Sequence, residues 1–224
     1  MQILDMIKTR RSVRRYKQRK VPLESIYYIL EAARWAPSTA NIQNWRFIVI
    51  EDPDTRNSLS KATLGQDWVA DAPVLLIVCS LDKSIKRKFP KYAEKYSIQN
   101  TSAAVENILL AAMGVGLSSC WITAFSENRV RRVCQIPDDV GIHVIVTLGY
   151  ANERPVPVAR HDLWDIVHFE GWNTRTMDKI EYLKGEDSKQ LFERKFVKDA
   201  QSKINRIKSK IKKPITRKRK TSKK

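Results

Sequence analysis

Residues 10 to 16 read Arg-Arg-Ser-Val-Arg-Arg-Tyr, and about twenty residues later Ala36-Pro37-Ser38-Thr39-Ala40-Asn41-Ile42-Gln43-Asn44-Trp45-Arg46-Phe47 carries a polar loop straight into an apolar strand. Guanidinium groups and a hydroxyl concentrated in one short stretch suit a phosphate, because arginine offers planar, charge-assisted and often bidentate donors. Small hydroxyl and amide side chains where a loop meets a sheet suit the edge of a flat heteroaromatic ring. Together the two segments point to a phosphorylated cofactor. Each also has a plainer explanation: arginines at a helix end act as solvated C-terminal caps, and Ser-Thr-Asn runs form ordinary turns. It is the pair that favours a ligand.

Other chemistries find little support. His143, His161 and His168 form no metal or triad constellation with cysteine or serine, and Cys79, Cys120 and Cys134 lack metal-ligand spacing. Three cysteines without a disulfide pattern suit a reducing compartment, and the expected location is the cytoplasm. No signal sequence opens the chain and no apolar run reaches membrane-spanning length, so no membrane association is expected.

The elements that must position these residues alternate between helical and strand patterns. Ile3, Met6 and Ile7 suggest the apolar face of a short first helix, and Ile26, Ile29, Leu30 and Ala33 that of a second after Pro22. Asp52 followed by Pro53 reads as an N-cap and first helical residue. The continuous apolar run Val74 to Cys79 suggests a central strand covered on both faces. Residues 81–99 lack clear periodicity and could be a lid, whereas 100–116 is apolar nearly all round and predicts a buried helix. Strands follow at 119–122 and 143–150, with a helix between them that Ser126 is expected to cap. The order of elements predicts an α+β fold with layers of helices around one sheet.

The charge is uneven. The chain of 224 residues carries a formal net charge of +18, yet residues 175–224 hold 19 Lys+Arg against 6 Asp+Glu. Within that stretch Val197, Ala200, Ile204, Ile207 and Ile211 recur at spacings of three and four among lysines, which predicts a basic amphipathic helix over 173–213. Residues 214–224 are almost wholly basic and polar, and disorder is expected there. Such a tail attracts polyanions, so weak non-specific nucleic acid binding stands beside simple solvation as its reading.

Residues 1–172 resemble the nitroreductase family of FMN-dependent oxidoreductases. The matching pieces are Arg10-Arg11-Ser12-Val13-Arg14, the 36–47 loop, Ala72-Pro73 before the central strand, Gly114 to Ile122, and Leu148-Gly149-Tyr150 followed by a Pro-rich link to Arg160. The resemblance implies an α/β sandwich around a mainly antiparallel sheet, and a homodimer with FMN at the subunit interface. Arg10, Arg11, Ser12 and Arg14 would hold the phosphate and ribityl chain, with Arg160 as a late phosphate contact. Pro37, Ser38, Thr39 and Asn41 would reach the partner subunit's flavin, while Ile122, Thr123 and Ala124 line the ring with Gln66 as a neighbour. The implied activity is electron transfer from NADH or NADPH to a small organic acceptor, a nitroaromatic or quinone, by ping-pong exchange at the flavin and with no catalytic side chain. Many relatives carry Pro at the position of Asn44 and Gly at or near Thr123 or Ala124, so the substrate face differs here. The competing reading is a flavin-fold binding module whose basic tail associates with nucleic acid.

Overall fold

In the computed structural model, residues 3–174 and Lys179 are described. The chain divides into two compact units, Met1–Pro157 and Val158–Lys224.

The first unit is organised by β2 (Val74–Leu81), whose residues are buried from Val74 through Ser80. Alternation along this strand separates two cores. Val74, Leu76 and Val78 face one cluster with Ile26, Ile29, Ile108 and Leu109, from α2 (Leu23–Arg34) and α5 (Ala93–Gly114). Leu75, Ile77 and Cys79 face the other with Leu59 and Val130, from α3 (Pro53–Ser60) and α6 (Glu127–Cys134). The sheet order is β1-β2-β4-β3, with β1 (Trp45–Ile50), β3 (Ser118–Ile122) and β4 (Val140–Gly149). Every pairing between these strands is antiparallel.

The register of β2 against β4 slips at one point. Val78 is opposite Val144 and Cys79 opposite Ile142, so His143 is an extra residue on β4. Such a bulge re-aims a side chain. Here it brings His143 Nε2 to 2.7 Å from Ser80 Oγ. The same site excludes a side chain at Gly141, where a Cβ would stand 2.8 Å from Ser80 Oγ.

Local chemistry explains the helix ends. Asp52 accepts the Thr55 N–H at 2.8 Å and Pro53 opens α3, as the sequence predicts. At the other end of α5, Gly116 takes φ +75°, with Gly116 N–H donating to Met113 O and Leu117 N–H to Ala112 O. That is a Schellman stop, in which a left-handed glycine satisfies the last carbonyls.

Residues 81–99, aperiodic in sequence, contain α4 (Lys83–Lys88), a 3-10 turn at Pro90–Tyr92 and the first two turns of α5, with Tyr92 stacked on Tyr96 at 5.6 Å. In this part of α5 the buried residues Ala93 and Ser97 are small or polar, which hides the helix from an apolar-periodicity reading. Two expectations need correction. The first helix, α1 (Ile3–Thr9), forms but buries none of its residues, Ile3 and Ile7 being exposed. Ser126 precedes α6 without a side-chain capping bond, since the Arg129 N–H that such a cap would accept goes to the Ser126 backbone carbonyl at 3.1 Å.

In the second unit, Asp162 leads into α7 (Leu163–Ile166), and a turn closes where Phe169 N–H donates to Thr174 O. The expected basic helix over 173–213, apart from Asn173, Thr174 and Lys179, and the tail over 214–224 lie outside the described residues. Among the described residues, no helix is long and apolar enough to cross a membrane.

Candidate cofactor site

From Ser12 onward the arginine segment is fastened to β3 and to the chain that follows β4, while Arg10 N–H still bonds back to Met6 O of α1. Ser12 bridges Ser119 in parallel, and Val13 N–H donates to Ser119 O at 3.1 Å. Three residues after Val13, Tyr16 forms an antiparallel bridge with Ala151, Lys17 N–H donates to Tyr150 O, and Asn152 N–H donates to Arg15 O. Glu153 Oε1 accepts the backbone N–H groups of both Arg14 and Arg15. The side chains of 10–14 are therefore carried by a backbone with little freedom to swing.

Beneath the segment lies a buried polar knot. The Tyr16 hydroxyl donates to Val13 O at 2.6 Å and lies 2.7 Å from Thr147 Oγ1, which in turn accepts Cys120 N–H at 3.1 Å. Because the single phenolic proton goes to Val13, Thr147 donates to the tyrosine oxygen. Burial drives the Tyr16 pKa well above the usual tyrosine value, so the phenol stays neutral. Burial also raises the Cys120 thiol, against Arg14, the Ser12 hydroxyl and Arg10, which pull it down. Arg10, Ser12 and Arg14 thus all favour negative charge at Cys120 of β3.

A cavity of about 300 Å³ opens at this place, lined by Thr9, Arg10, Arg11, Ser118, Ser119, Glu153 and Arg154 over an apolar floor of Leu109, Met113 and Leu117. The guanidinium groups of Arg10 and Arg154 make no hydrogen bond among the described residues, so their donors stay available. Arg11 is partly committed, donating through Nη1 to Lys8 O and Arg10 O at 2.7 Å each. It closes the end of α1 as well as lining the cavity. Three guanidiniums against one carboxylate, whose Oε1 already serves two backbone amides, leave a cationic hollow that fits a phosphate. A second cavity, of about 490 Å³, holds none of the expected residues; its Arg56 already donates to Ala70 O and Ala72 O.

Arg14 is exposed and turns away from the cavity, its guanidinium 5.8 Å from the centroid of Trp68. Gln66, two residues before that tryptophan, donates from Nε2 to Thr63 O at 3.0 Å and to Ala124 O at 3.1 Å. This joins Gln66 to the exit of β3, where Ile122 is buried and Thr123 and Ala124 are exposed. Gln66 and the 122–124 segment, expected to border one ring, are thereby brought together.

The turn at 37–43 stands apart. Thr39 N–H donates to Asn100 Oδ1 of α5 at 2.8 Å, Gln43 N–H to Ser38 Oγ, and Gln43 Nε2 to Asn41 Oδ1. Ala40, Asn41 and Gln43 all adopt left-handed backbone, at φ 48°, 55° and 51°. For Ala40, which lacks a polar side chain to compensate, that costs roughly 1–2 kcal/mol. Among the described residues, no hydrogen bond of this turn reaches the arginine segment. Arg160 belongs to the second unit, exposed, with Nη1 3.3 Å from Val158 O and Ala159 O.

Several contributors escape a reading of the sequence. Glu153 and Arg154 come three and four residues after Tyr150 of the Leu148-Gly149-Tyr150 match, and that position is the only signal the sequence offers for them. Tyr16, Thr147 and Asn100 carry no local signal; only the pairing of strands and the packing of α5 bring them to the site.

Comparisons with known proteins agree with this geometry. The model of the nitroreductase family matches residues 7–66 and 60–150. A protein of Methanothermobacter thermautotrophicus, whose name couples NADH dehydrogenase with NAD(P)H nitroreductase, is 38% identical over 178 residues, covering 77% of this chain and 88% of the relative. An NADH dehydrogenase of Thermus thermophilus is 33% identical over 186 residues, covering 70% of this chain and 91% of the relative. Among solved structures, an FMN-dependent nitroreductase of Clostridium difficile superposes with a TM-score of 0.66 at 28% identity, covering 76% of this chain and all of that one. With the antiparallel sheet between two helical layers and the arginine segment laid along its β3 edge, these matches establish that the chain belongs to the nitroreductase family.

Proposed function

We propose that the chain is an NAD(P)H-dependent flavin oxidoreductase that holds FMN and passes electrons to a small organic acceptor, a nitroaromatic or quinone, by a ping-pong mechanism. The observation that carries this reading is the cationic cavity against β3, where Arg10 and Arg154 have uncommitted guanidiniums beside Arg11, Ser118 and Ser119. Relatives named for NAD(P)H nitroreductase and FMN reductase activity support it.

FMN, when bound, supplies the redox chemistry, taking hydride from reduced nicotinamide and giving electrons to the acceptor that replaces it. The chain's own task is placement and electrostatics. Arg10, Arg11 and Arg154 neutralise the phosphate, and the Ser12 hydroxyl is suited to the ribityl chain. Arg14, set against Trp68, brings positive charge to the face that Gln66 shares with Ala124. Ile122, Thr123 and Ala124 border the ring, their backbone donors favouring negative charge on it. Pro37, Ser38, Thr39 and Asn41 complete the site from the partner subunit of a homodimer, in keeping with a turn that makes no bond to its own arginine segment. Arg160 is assigned to the phosphate by its position after the Pro-rich link. No side chain serves as nucleophile. The 19 Lys+Arg of residues 175–224 add a weak, salt-sensitive affinity for nucleic acid.

The test is the visible spectrum of the purified protein, followed anaerobically with NADH and then NADPH. Flavin bands that bleach with a nucleotide and return with a nitroaromatic or quinone are expected. A colourless protein that cannot be reconstituted with FMN would refute the reading.

A further inference from the structure

One buried polar chain is not needed to explain the fold. Thr39 N–H donates to Asn100 Oδ1 at 2.8 Å, Asn100 Nδ2 to Asn44 Oδ1 at 2.9 Å, Asn44 Nδ2 to Ser97 Oγ at 2.9 Å, and Ser97 Oγ to Asp82 Oδ1 at 2.7 Å. From the opposite side, Ser80 Oγ donates to the same Asp82 oxygen at 2.5 Å. Ser80 and Ser97 are fully buried, and Asn44 and Asn100 are 2% and 3% exposed. Every donor points towards Asp82, so each bond polarises the next, and a single carboxylate terminates the series. The far end of the series is the Ser38–Gln43 turn, with left-handed backbone at Ala40, Asn41 and Gln43.

We propose that Asn100 and Asn44 are positioning residues that hold this turn in its left-handed course, through the hydrogen-bond chain anchored at Asp82. Two features support a positioning role. Strained backbone persists only where the surroundings over-determine it, and Thr39 N–H is the turn's hydrogen bond to α5. Asn100 uses both ends of its amide, Oδ1 for the turn and Nδ2 for Asn44, so it cannot serve one without being oriented by the other. Asn44 lies immediately before β1, and its own carbonyl accepts Leu81 N–H at 2.8 Å, tying its backbone to the end of β2. The turn is therefore referenced to the sheet at two depths. Its effect on electron transfer rests on the FMN reading above, in which the turn completes the partner's flavin site.

The experiment compares full-length wild type with Asn100→Ala, Asn44→Ala and their double variant, by hydrogen exchange of a peptide spanning 38–43 and of peptides from β2 and β4. Exchange in the turn is expected to rise at least tenfold in either single variant, with the strand peptides unchanged, and the double variant should add little to Asn100→Ala. Unchanged turn exchange would overturn the proposal, and so would acceleration spread equally over the strands, which marks general destabilisation. Ser97→Ala, a smaller change at the next link, is expected to loosen the turn by a smaller factor. It keeps the test decisive if the asparagine variants fail to fold, since an unmoved turn there would also overturn the chain. In wild type that binds FMN, Asn100→Ala should raise the acceptor KM about fivefold with kcat nearly unchanged. A wild type without FMN would refute the flavin reading and leave the exchange data to decide the positioning.

Discussion

The Tyr16 hydroxyl stands 2.7 Å from Thr147 Oγ1, directly beneath the segment that carries the arginines. One phenol thereby links the Val13 carbonyl, and with it the arginine segment, to the middle of the sheet. Tyr16→Phe removes the donor to Val13 O and the acceptor for Thr147 while leaving the ring in place. A loss of about 1–3 kcal/mol is expected, the usual cost of stranding buried polar groups. Urea unfolding with an unchanged slope would measure it.

Gly149 ends β4 where the segments carrying Pro73 and Tyr16 close on it. A Cβ there would stand 2.5 Å from Pro73 Cδ and 2.8 Å from Tyr16 Cδ1. Neither the proline ring nor the buried tyrosine can retreat far. Gly149→Ala should cost about 1–3 kcal/mol by overpacking. A thermal midpoint equal to wild type would contradict this.

The bulged His143 gives the fold an acid sensitivity. Burial holds its pKa below the ordinary 6.5, outweighing Asp82, Glu127 and Glu94, which pull it upwards. Since the Ser80 proton goes to Asp82, Nε2 of His143 carries the proton that meets Ser80. The unfolded chain binds a proton near 6.5 and the folded one only at lower pH. The contribution is therefore complete above about pH 6.5 and is lost as pH falls through the depressed folded value. His143→Gln should flatten the fall in urea midpoint between about pH 7.5 and 5. Parallel pH profiles for variant and wild type would refute the assignment.

The phosphate assignment can be tested by charge removal. Replacing Arg10 and Arg154, which both line the cavity, together by Ala should weaken FMN retention at least tenfold, because charge-assisted bonds carry about 1.5–3 kcal/mol each. Absorbance of the dialysed double variant provides the readout, and full occupancy would exclude these arginines from the phosphate site.

How far the sequence reveals this molecule depends on whether a residue's signal is local. Asp52-Pro53 announces α3 because a cap and a fixed φ act within one turn. The Val74–Cys79 run announces a central strand because both of its faces are covered by apolar layers. Ala93 and Ser97, in the part of α5 before residue 100, give no such notice, since a helix face that packs through small and polar atoms has the right spacing but the wrong chemistry for an apolar count. Ile3 and Ile7 err the other way: spacing shapes the helix, but nothing in it supplies a surface to bury them. In the site, the arginine segment and the turn stand out by composition. Glu153, Thr147 and Asn100 reach them from more than fifty residues away in the chain, and no pattern within a window of a few turns can show that.

The parallel bridge of Ser12 to Ser119 has a bearing on solubility. It lays the arginine strip over the outer margin of β3, which otherwise would present its amides and carbonyls to a neighbouring molecule. On the proposed phosphate role, the strip that holds the ligand is the one that covers this margin, so ligand occupancy and the sealing of that margin rise and fall together. Retaining the cofactor and keeping copies of the chain from zipping edge to edge are then one and the same task.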